Sequence, residues 1–123
     1  MEKLILSAAP APGEQEIWTK CVDYPAYEVS TFGNVRNAAT KVFMTPKFIN
    51  SSGYAQVHLR IGIKNKNGKF ETVHRLVAKA FCENPDPEQK YIVDHIDRNR
   101  KNNYYKNLRW VTPKENALNS KAT

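Results

Sequence analysis

The chain has 123 residues, of which 25% are charged, and a formal net charge of +7. A chain of this length buries one modest core or two very small ones. No apolar run is long enough to cross a bilayer, and the short apolar stretch Leu4–Leu6 with a single Lys beside it does not make a signal peptide, so we expect a cytoplasmic protein rather than a membrane or secreted one.

Residues 1–15 are expected to form a flexible lead, because Ala8–Gly13 is built from small residues, Pro and Gly. A small β domain follows over residues 16–73. Its first predicted hairpin has a strand at Tyr27–Ser30, a turn at Phe32–Asn34 and a return strand at Val35–Arg36.

Further strands are predicted in the rest of this domain. Val42–Met44 is a short apolar run before Pro46, and Tyr54–Ile63 alternates between polar and apolar side chains, as a half-buried strand does. Its inward face is expected to hold Ala55, Val57, Leu59 and Ile61. Lys64–Gly68 predicts a basic hairpin turn, with the return strand at Phe70–Val73, so the sum is a small antiparallel sheet.

A helix is predicted over His74–Cys82. Its apolar residues recur at helical spacing and form one stripe of Leu76, Val77, Ala80 and Phe81. Asn84–Pro87, with two prolines, ends this helix and acts as a short stiff linker.

The last unit is predicted to be strand, loop, strand and helix. The strands are Tyr91–Val93 and Leu108–Val111, and the loop between them contains a polar run at Asp97–Lys106. The final helix is expected to start at Pro113, with Thr112 as its N-cap and a Glu at the position that a capping box requires.

Four polar side chains in this unit are spaced so that a hairpin packed on a helix can bring them to one cleft. Asp94 and His95 end the first strand, Asn107 comes twelve residues after His95, and Asn116 comes nine residues later. Oxygen ligands suit Mg²⁺ or Mn²⁺, and an imidazole that titrates near neutrality suits proton abstraction from water. The combination is suited to phosphodiester hydrolysis.

These residues, with the segments 95–103, 107–112 and 115–116, resemble the HNH nucleases, and most of all the phage and intron homing endonucleases. The resemblance implies an α+β protein: a small antiparallel β-sheet module followed by a helix and a ββα-metal (HNH, His-Me finger) nuclease motif over residues 74–123. It implies that Asp94 and Asn116 hold one divalent ion, Mg²⁺ or Mn²⁺, together with oxygens of the scissile phosphate. It also implies that His95 is the general base and that Asn107 braces the loop and orients the His95 ring.

Residues 16–36 resemble a small nuclease-associated modular domain that often precedes an HNH unit. The matching positions are Glu16, Trp18, the run Tyr27–Ser30, Gly33 and Val35–Arg36. In relatives this module is held to contact DNA, which makes Arg36 a candidate contact. Aromatic residues here are expected to pack in the core rather than stack on bases.

The cationic residues are concentrated in the second half of the chain. Residues 63–123 carry thirteen Lys and Arg against seven Asp and Glu, a net +6, whereas residues 1–62 carry +1. A polyanion is the natural partner of such a surface, although a charge run is more often just a solvated face. The predicted contacts with double-stranded DNA are Arg36, Arg60, Arg75, Lys79, Arg98, Arg100, Lys101 and Arg109.

Cys21 and Cys82 stand far apart in the sequence, so a structural zinc is not expected. The hypothesis is a metal-dependent HNH DNA endonuclease of the homing type that nicks double-stranded DNA as a monomer or weak dimer. It would work in the cytoplasm of a phage-infected cell, with a protein partner as one source of specificity. The alternatives are a DNA-binding module that has lost cleavage and an accessory protein of a phage assembly.

Overall fold

Helix α1, Val73–Phe81, lies at the centre of the molecule and contacts strands of all three sheets. The computed structural model describes residues 8–61 and 67–121. The buried side chains of α1 are those of Val73, His74, Leu76, Val77 and Ala78. The helix begins one residue before the predicted start, directly after a strand that ends at Thr72.

Two three-stranded antiparallel sheets precede this helix. The first contains β1 (Trp18–Cys21), β2 (Tyr24–Ser30) and β3 (Val35–Asn37), in that order. The second contains β4 (Lys47–Phe48), β5 (Ala55–Ile61) and β6 (Asn67–Thr72). The pairing of Ile61 with Asn67 confirms the predicted hairpin, but its turn at residues 64–66 lies outside the described residues.

The alternation predicted along β5 is confirmed at most positions. Ala55, Val57 and Leu59 are buried, whereas His58 and Arg60 are exposed. Ile61 is the exception, because it is 44% exposed at the end of the strand. The strand predicted at Val42–Met44 is wrong: this stretch makes an isolated bridge between Phe43 and Arg36 and no longer ladder.

The second part of the chain is a hairpin with a helix. Strands β7 (Ile92–His95) and β8 (Leu108–Val111) are antiparallel, a 3₁₀ turn occupies Tyr105–Asn107, and helix α2 covers Pro113–Lys121. The predicted capping box is confirmed by two reciprocal hydrogen bonds: the Glu115 amide donates to Thr112 Oγ1 over 3.1 Å, and the Thr112 amide donates to Glu115 Oε1 over 3.0 Å.

One apolar core joins the two parts. It contains Val29 and Leu59 from the sheets, Leu76 from α1, and Val93 and Leu108 from the hairpin. Burying an aliphatic side chain of this size stabilises the fold by about 1.5–3 kcal/mol. The hairpin that carries the predicted site is therefore fixed to the N-terminal sheets through α1.

The segment predicted as a flexible lead lies against the loop between β7 and β8. Asn102 donates a hydrogen bond from Nδ2 to the Ala8 carbonyl over 2.8 Å, and the Tyr104 hydroxyl lies 2.9 Å from both Glu14 carboxylate oxygens. Residues 1–7 lie outside the described part of the chain. The described residues of this segment thus contact the loop that carries the candidate site.

Candidate active site

Asp94 and His95 are the last two residues of β7, at the end of the strand where the sequence analysis placed them. Antiparallel pairing sets Asp94 opposite Arg109 and His95 opposite Leu108. Both are buried, with 5% of Asp94 and 3% of His95 exposed. A carboxylate and an imidazole buried this deeply require polar partners, since an unpaired buried charge is costly.

The Asp94 carboxylate has two neighbours that supply N–H donors. Arg109 donates from Nη2 over 3.1 Å, and Asn119 donates from Nδ2 to the two carboxylate oxygens over 2.8 and 2.9 Å. The same Asn119 amide lies 3.1 Å from the His95 carbonyl. These contacts fix the carboxylate at the junction of β7, β8 and α2.

The His95 ring is held by one hydrogen bond and two aromatic neighbours. Its Nε2 lies 2.8 Å from Asn103 Oδ1. The Tyr54 ring is stacked 5.8 Å away at an interplanar angle of 21°, and the His74 ring lies 4.9 Å away. Burial among these groups lowers the pKa of His95, although the Asn103 hydrogen bond and the carboxylates of Asp97 and Asp94 act in the opposite direction. The ring is therefore held largely neutral at neutral pH.

Asn107 holds the loop between the two strands. It is 1% exposed, and its Nδ2 donates to Asp97 Oδ1 and to the Asn102 carbonyl, each over 2.9 Å. Its Oδ1 accepts from the Asp97 amide over 3.1 Å. The side chain of Asn107 thus makes its hydrogen bonds within the loop. The hydrogen-bond partner of the His95 ring is Asn103, whereas the resemblance implied Asn107 for this role.

Asn116 comes one turn into α2 and shares a cleft with Asp94 and His95. The cleft has a volume of about 230 Å³. Its remaining lining residues are Tyr54, Arg98, Arg100 and Asn119. The structure therefore brings three of the four predicted residues to one cavity and leaves Asn107 behind it as a support of the loop.

The donor set of this cleft suits a hard divalent ion. Asp94 offers a carboxylate and Asn116 an amide oxygen, and Mg²⁺ is commonly bound by one or two such groups with water and phosphate completing its shell. Over residues 8–61 and 67–121, no group of three or more His, Cys, Asp or Glu side chains is placed to hold a metal by itself. An ion in this cleft would depend on substrate phosphate for part of its coordination.

Four of the predicted DNA contacts lie on the hairpin that carries Asp94 and His95. Arg98 and Arg100 line the cleft, Lys101 is exposed on the same loop, and Arg109 is about half exposed while it pairs with Asp94. Arg100 also lies 4.8 Å above the Tyr54 ring and donates a hydrogen bond to the Ser52 carbonyl. The cationic loop is thereby attached to the connection between β4 and β5.

The other four predicted contacts lie elsewhere. Arg75 donates to the Tyr91 carbonyl over 3.0 Å, and Lys79 and Arg60 are exposed. Arg36 is in a 2.7 Å ion pair with Glu28 and lies 3.8 Å above the Trp18 ring. These contacts give Arg36 a structural part within the first sheet, and its predicted contact with DNA stays a prediction.

Four cleft or ring neighbours were not found from the sequence: Tyr54, His74, Asn103 and Asn119. Asn119 follows Asn116 by three residues, and such residues share a helix face, so helical spacing was an available signal. Asn103 lies in a polar loop where nothing distinguishes it from Asn102. Tyr54 precedes Asp94 by forty positions, so only the folded chain reveals its approach.

Both cysteines are free. Cys21 is buried, and Cys82 directs its thiol to the carbonyls of Tyr105 and Leu108 at 3.4 and 3.7 Å. Burial raises the pKa of each thiol to about 11, so both stay protonated at neutral pH.

Within the described ranges, no helix is both long and apolar enough to cross a bilayer.

Comparison with known families agrees with this architecture. Residues 71–118 match the family model described as HNH endonuclease, and residues 16–60 match the NUMOD4 motif. The chain carries an HNH endonuclease domain with a NUMOD4 motif ahead of it. It is a small α+β protein of the HNH fold.

The chain is similar to homing endonucleases. It is 42% identical to the DNA endonuclease I-HmuI of Bacillus phage SP01 over 96 residues, which is 76% of this chain and 50% of that protein. It is 38% identical to the uncharacterized HNH endonuclease L247 of Acanthamoeba polyphaga mimivirus over 85% of this chain and 26% of that protein. A solved structure of DNA binding and cleavage by I-HmuI matches with a TM-score of 0.73 and 36% identity, covering 85% of this chain and 57% of that one. The chain thus spans between a quarter and about half of the length of these relatives.

Proposed function

We propose that this protein is a metal-dependent endonuclease that nicks one strand of double-stranded DNA. The observation that carries the proposal is the single cleft shared by Asp94, His95 and Asn116, with Arg98 and Arg100 at its wall. The solved structure of I-HmuI, whose title describes DNA binding and cleavage, supports DNA as the substrate.

Each side chain has a chemical role that follows from its position. His95 takes a proton from a water molecule, whose oxygen forms a bond to the scissile phosphorus while the bond to the leaving oxygen breaks. A buried ring with a lowered pKa is unprotonated at neutral pH and ready to accept that proton. Asp94 and Asn116 would hold one Mg²⁺ or Mn²⁺, which when bound supplies positive charge against the developing charge on the leaving oxygen.

The cations of the loop bind the DNA backbone. Arg98 and Arg100 line the cleft itself, so they are placed to contact the phosphates nearest the scissile bond. The exposed Lys101 extends the same surface. One cleft accepts one strand, so a monomer is expected to leave a nick, and a double-strand break requires a second protein or a second binding event.

A plasmid-nicking assay with Mg²⁺ or Mn²⁺ tests this proposal. We expect the native protein to convert supercoiled plasmid to the open circle, and EDTA to abolish the conversion. His95→Ala should lower the rate by about 10²–10⁴-fold, the usual contribution of a positioned general base, while DNA affinity in a gel shift stays unchanged. Equal nicking by the two proteins would contradict the assignment, and a gel shift without nicking by either would favour a binding module.

Asp94→Asn separates charge from shape in the same assay. The change keeps the size of the side chain and removes the negative charge that the ion requires, so nicking should fall by about 100-fold or more, since a metal contributes several kcal/mol. Asp86→Asn is the matched control, because Asp86 is exposed in the linker after α1. The metal ligand assignment fails if the two variants behave alike.

A further inference from the structure

Asn103 faces the buried ring of the proposed general base. It is 8% exposed, and its side-chain oxygen Oδ1 lies 2.8 Å from His95 Nε2. A carbonyl oxygen is only an acceptor, so this contact requires the proton of the neutral ring to be on Nε2. The other ring nitrogen, Nδ1, then carries the lone pair.

The position of Asn103 is itself fixed from the N-terminal module, the two sheets of residues 18–72. Gly33, in the turn between β2 and β3, has φ +88°, and a Cβ atom added there would lie 2.8 Å from Asn103 Cβ and 2.9 Å from its carbonyl oxygen. Side chains other than hydrogen therefore do not fit between this turn and Asn103. The Tyr105 amide donates to the Thr31 carbonyl over 2.9 Å, which joins the same turn to the same loop.

A second contact from this module fixes the plane of the ring. Tyr54, which precedes β5, is stacked on His74 at 4.6 Å and on His95 at 5.8 Å, with interplanar angles of 19° and 21°. Stacking limits tilting of the His95 ring but leaves it free to flip about its own axis. The hydrogen bond to Asn103 removes that freedom, because only one ring nitrogen reaches Oδ1.

We propose that Asn103 is a positioning residue for His95, that its carbonyl accepts the Nε2 proton so that Nδ1 takes the proton of the attacking water, and that Gly33 of the N-terminal module holds Asn103 in place. The proposal rests on the proposed function, in which His95 is the base. After proton transfer the ring carries a proton on each nitrogen, and Asn103 still accepts the one on Nε2. Asn103 thereby has the ring-orienting part that the family resemblance implies for Asn107.

Nuclear magnetic resonance of metal-free protein with ¹⁵N-labelled histidine tests the hydrogen bond without any need for cleavage. We expect His95 to be protonated on Nε2 and the Nε2 proton to be protected from exchange with water. Asn103→Ala should lose this protected signal, whereas Asn103→Asp should keep it because a carboxylate also accepts. A native protein with the His95 proton on Nδ1 overturns the proposal.

Plasmid nicking by the same variants tests the consequence. Asn103→Ala should nick about 10–100-fold more slowly than the native protein at unchanged DNA affinity, the usual cost of losing a partner that orients a histidine, and Asn103→Asp should recover most of the rate. Native-like nicking by Asn103→Ala overturns the positioning role. If the native protein does not nick at all, the proposed function fails while the resonance experiment still decides the orientation of the ring.

Gly33→Ala tests the role of the N-terminal module in holding Asn103, with Gly13→Ala as the matched control. Both glycines have positive φ, +88° and +81°, but a Cβ at Gly13 meets nothing within 4 Å. Gly33→Ala should lose the protected Nε2 proton and nick as slowly as Asn103→Ala, whereas Gly13→Ala should behave as the native protein. A folded Gly33→Ala protein with the native signal and rate overturns this part, and if Gly33→Ala does not fold, the Asn103 variants decide.

Discussion

The N-terminal module and the hairpin that carries the candidate site (β7, β8 and the loop between them) bury different kinds of side chain. The fully buried residues of the module are mostly aliphatic, with Val29 and Leu59 both at 0% exposure. The hairpin and its loop bury Asp94, His95 and Asn107, each at 5% or less. Burial of apolar groups stabilises a fold, whereas burial of polar groups costs free energy unless every one is hydrogen-bonded.

The difference explains why neither part is complete without the other. Every buried polar residue of the hairpin has a hydrogen-bond partner. The His95 ring also stacks on Tyr54 of the module, and its partner Asn103 packs against Gly33 of the module. The module in turn covers the apolar side of α1. The module contributes stabilising apolar contacts, and the hairpin contributes a preorganised polar site that does not stabilise itself.

The largest effect on stability is expected from Leu59→Ala in the module. Leu59 is fully buried, so its truncation should lower the free energy of unfolding by about 2–5 kcal/mol. Leu118→Ala is the matched control, because Leu118 is 63% exposed, and it should change the stability by no more than about 0.5 kcal/mol.

Urea unfolding of the two variants, followed by hydrogen exchange, measures this effect. Because α1 links both parts in one core, amides of β7 and β8 should lose as much protection in Leu59→Ala as amides of β5. Unchanged protection in the hairpin would show that the two parts unfold separately, and the view of one shared core would be wrong.

The sequence predicted the local elements well, because each has a local signal. The alternation along β5, the apolar stripe of α1 and the capping box at Thr112 are all present in the folded chain. The run Val42–Met44 failed because β propensity does not supply a partner strand, and this stretch has only one bridge to Arg36.

Contacts between the two parts were not predictable, since no periodic pattern encodes them. Gly33 is a turn residue by sequence, and only the fold shows that Asn103 leaves no room for a side chain there. The same holds for the Tyr54 ring beside His95. The predicted site residues came from spacing within the hairpin and α2, whereas Tyr54 and Gly33, which lie beside His95 and Asn103, come from the module.

A smaller effect should appear in the pH dependence of stability, at the residue where the two parts meet. His74 is 6% exposed, and burial, with the charges of His95, Arg75 and Arg100, lowers its pKa to about 3. In the unfolded chain the group titrates near its ordinary value of about 6.5. The unfolded state therefore binds more protons between these values, and stability should fall as the pH falls below about 6.5.

The expected slope from this group is up to about 1.4 kcal/mol per pH unit. Urea unfolding at pH 7 and pH 5 measures it, and His74→Gln should be less sensitive to pH, with the remaining slope coming in part from His95, whose pKa is also lowered. His58→Gln is the control, because His58 is exposed on β5, and it should keep the native slope. An equal slope in the two variants would show that His74 is not held neutral in the folded protein.

The smallest effect concerns which part carries the DNA contacts. Replacement of Arg98 and Lys101 by Gln should reduce the slope of log affinity against log salt by about 0.9 for each lost phosphate contact. Arg100 is left in place, because it also binds the Ser52 carbonyl and covers Tyr54. Between 50 and 200 mM salt, two lost contacts make the affinity of the variant about tenfold less sensitive than that of the native protein.

Lys20→Gln with Lys69→Gln is the matched control, since it removes the same charge from exposed strand positions of the module. Gel shifts across a salt series distinguish the two double variants. A reduced slope in the loop variant alone would assign the phosphate contacts to the hairpin side of the molecule. A reduced slope in the control alone would instead assign the phosphate contacts to the module, because Arg98 and Lys101 would then contribute no phosphate contact.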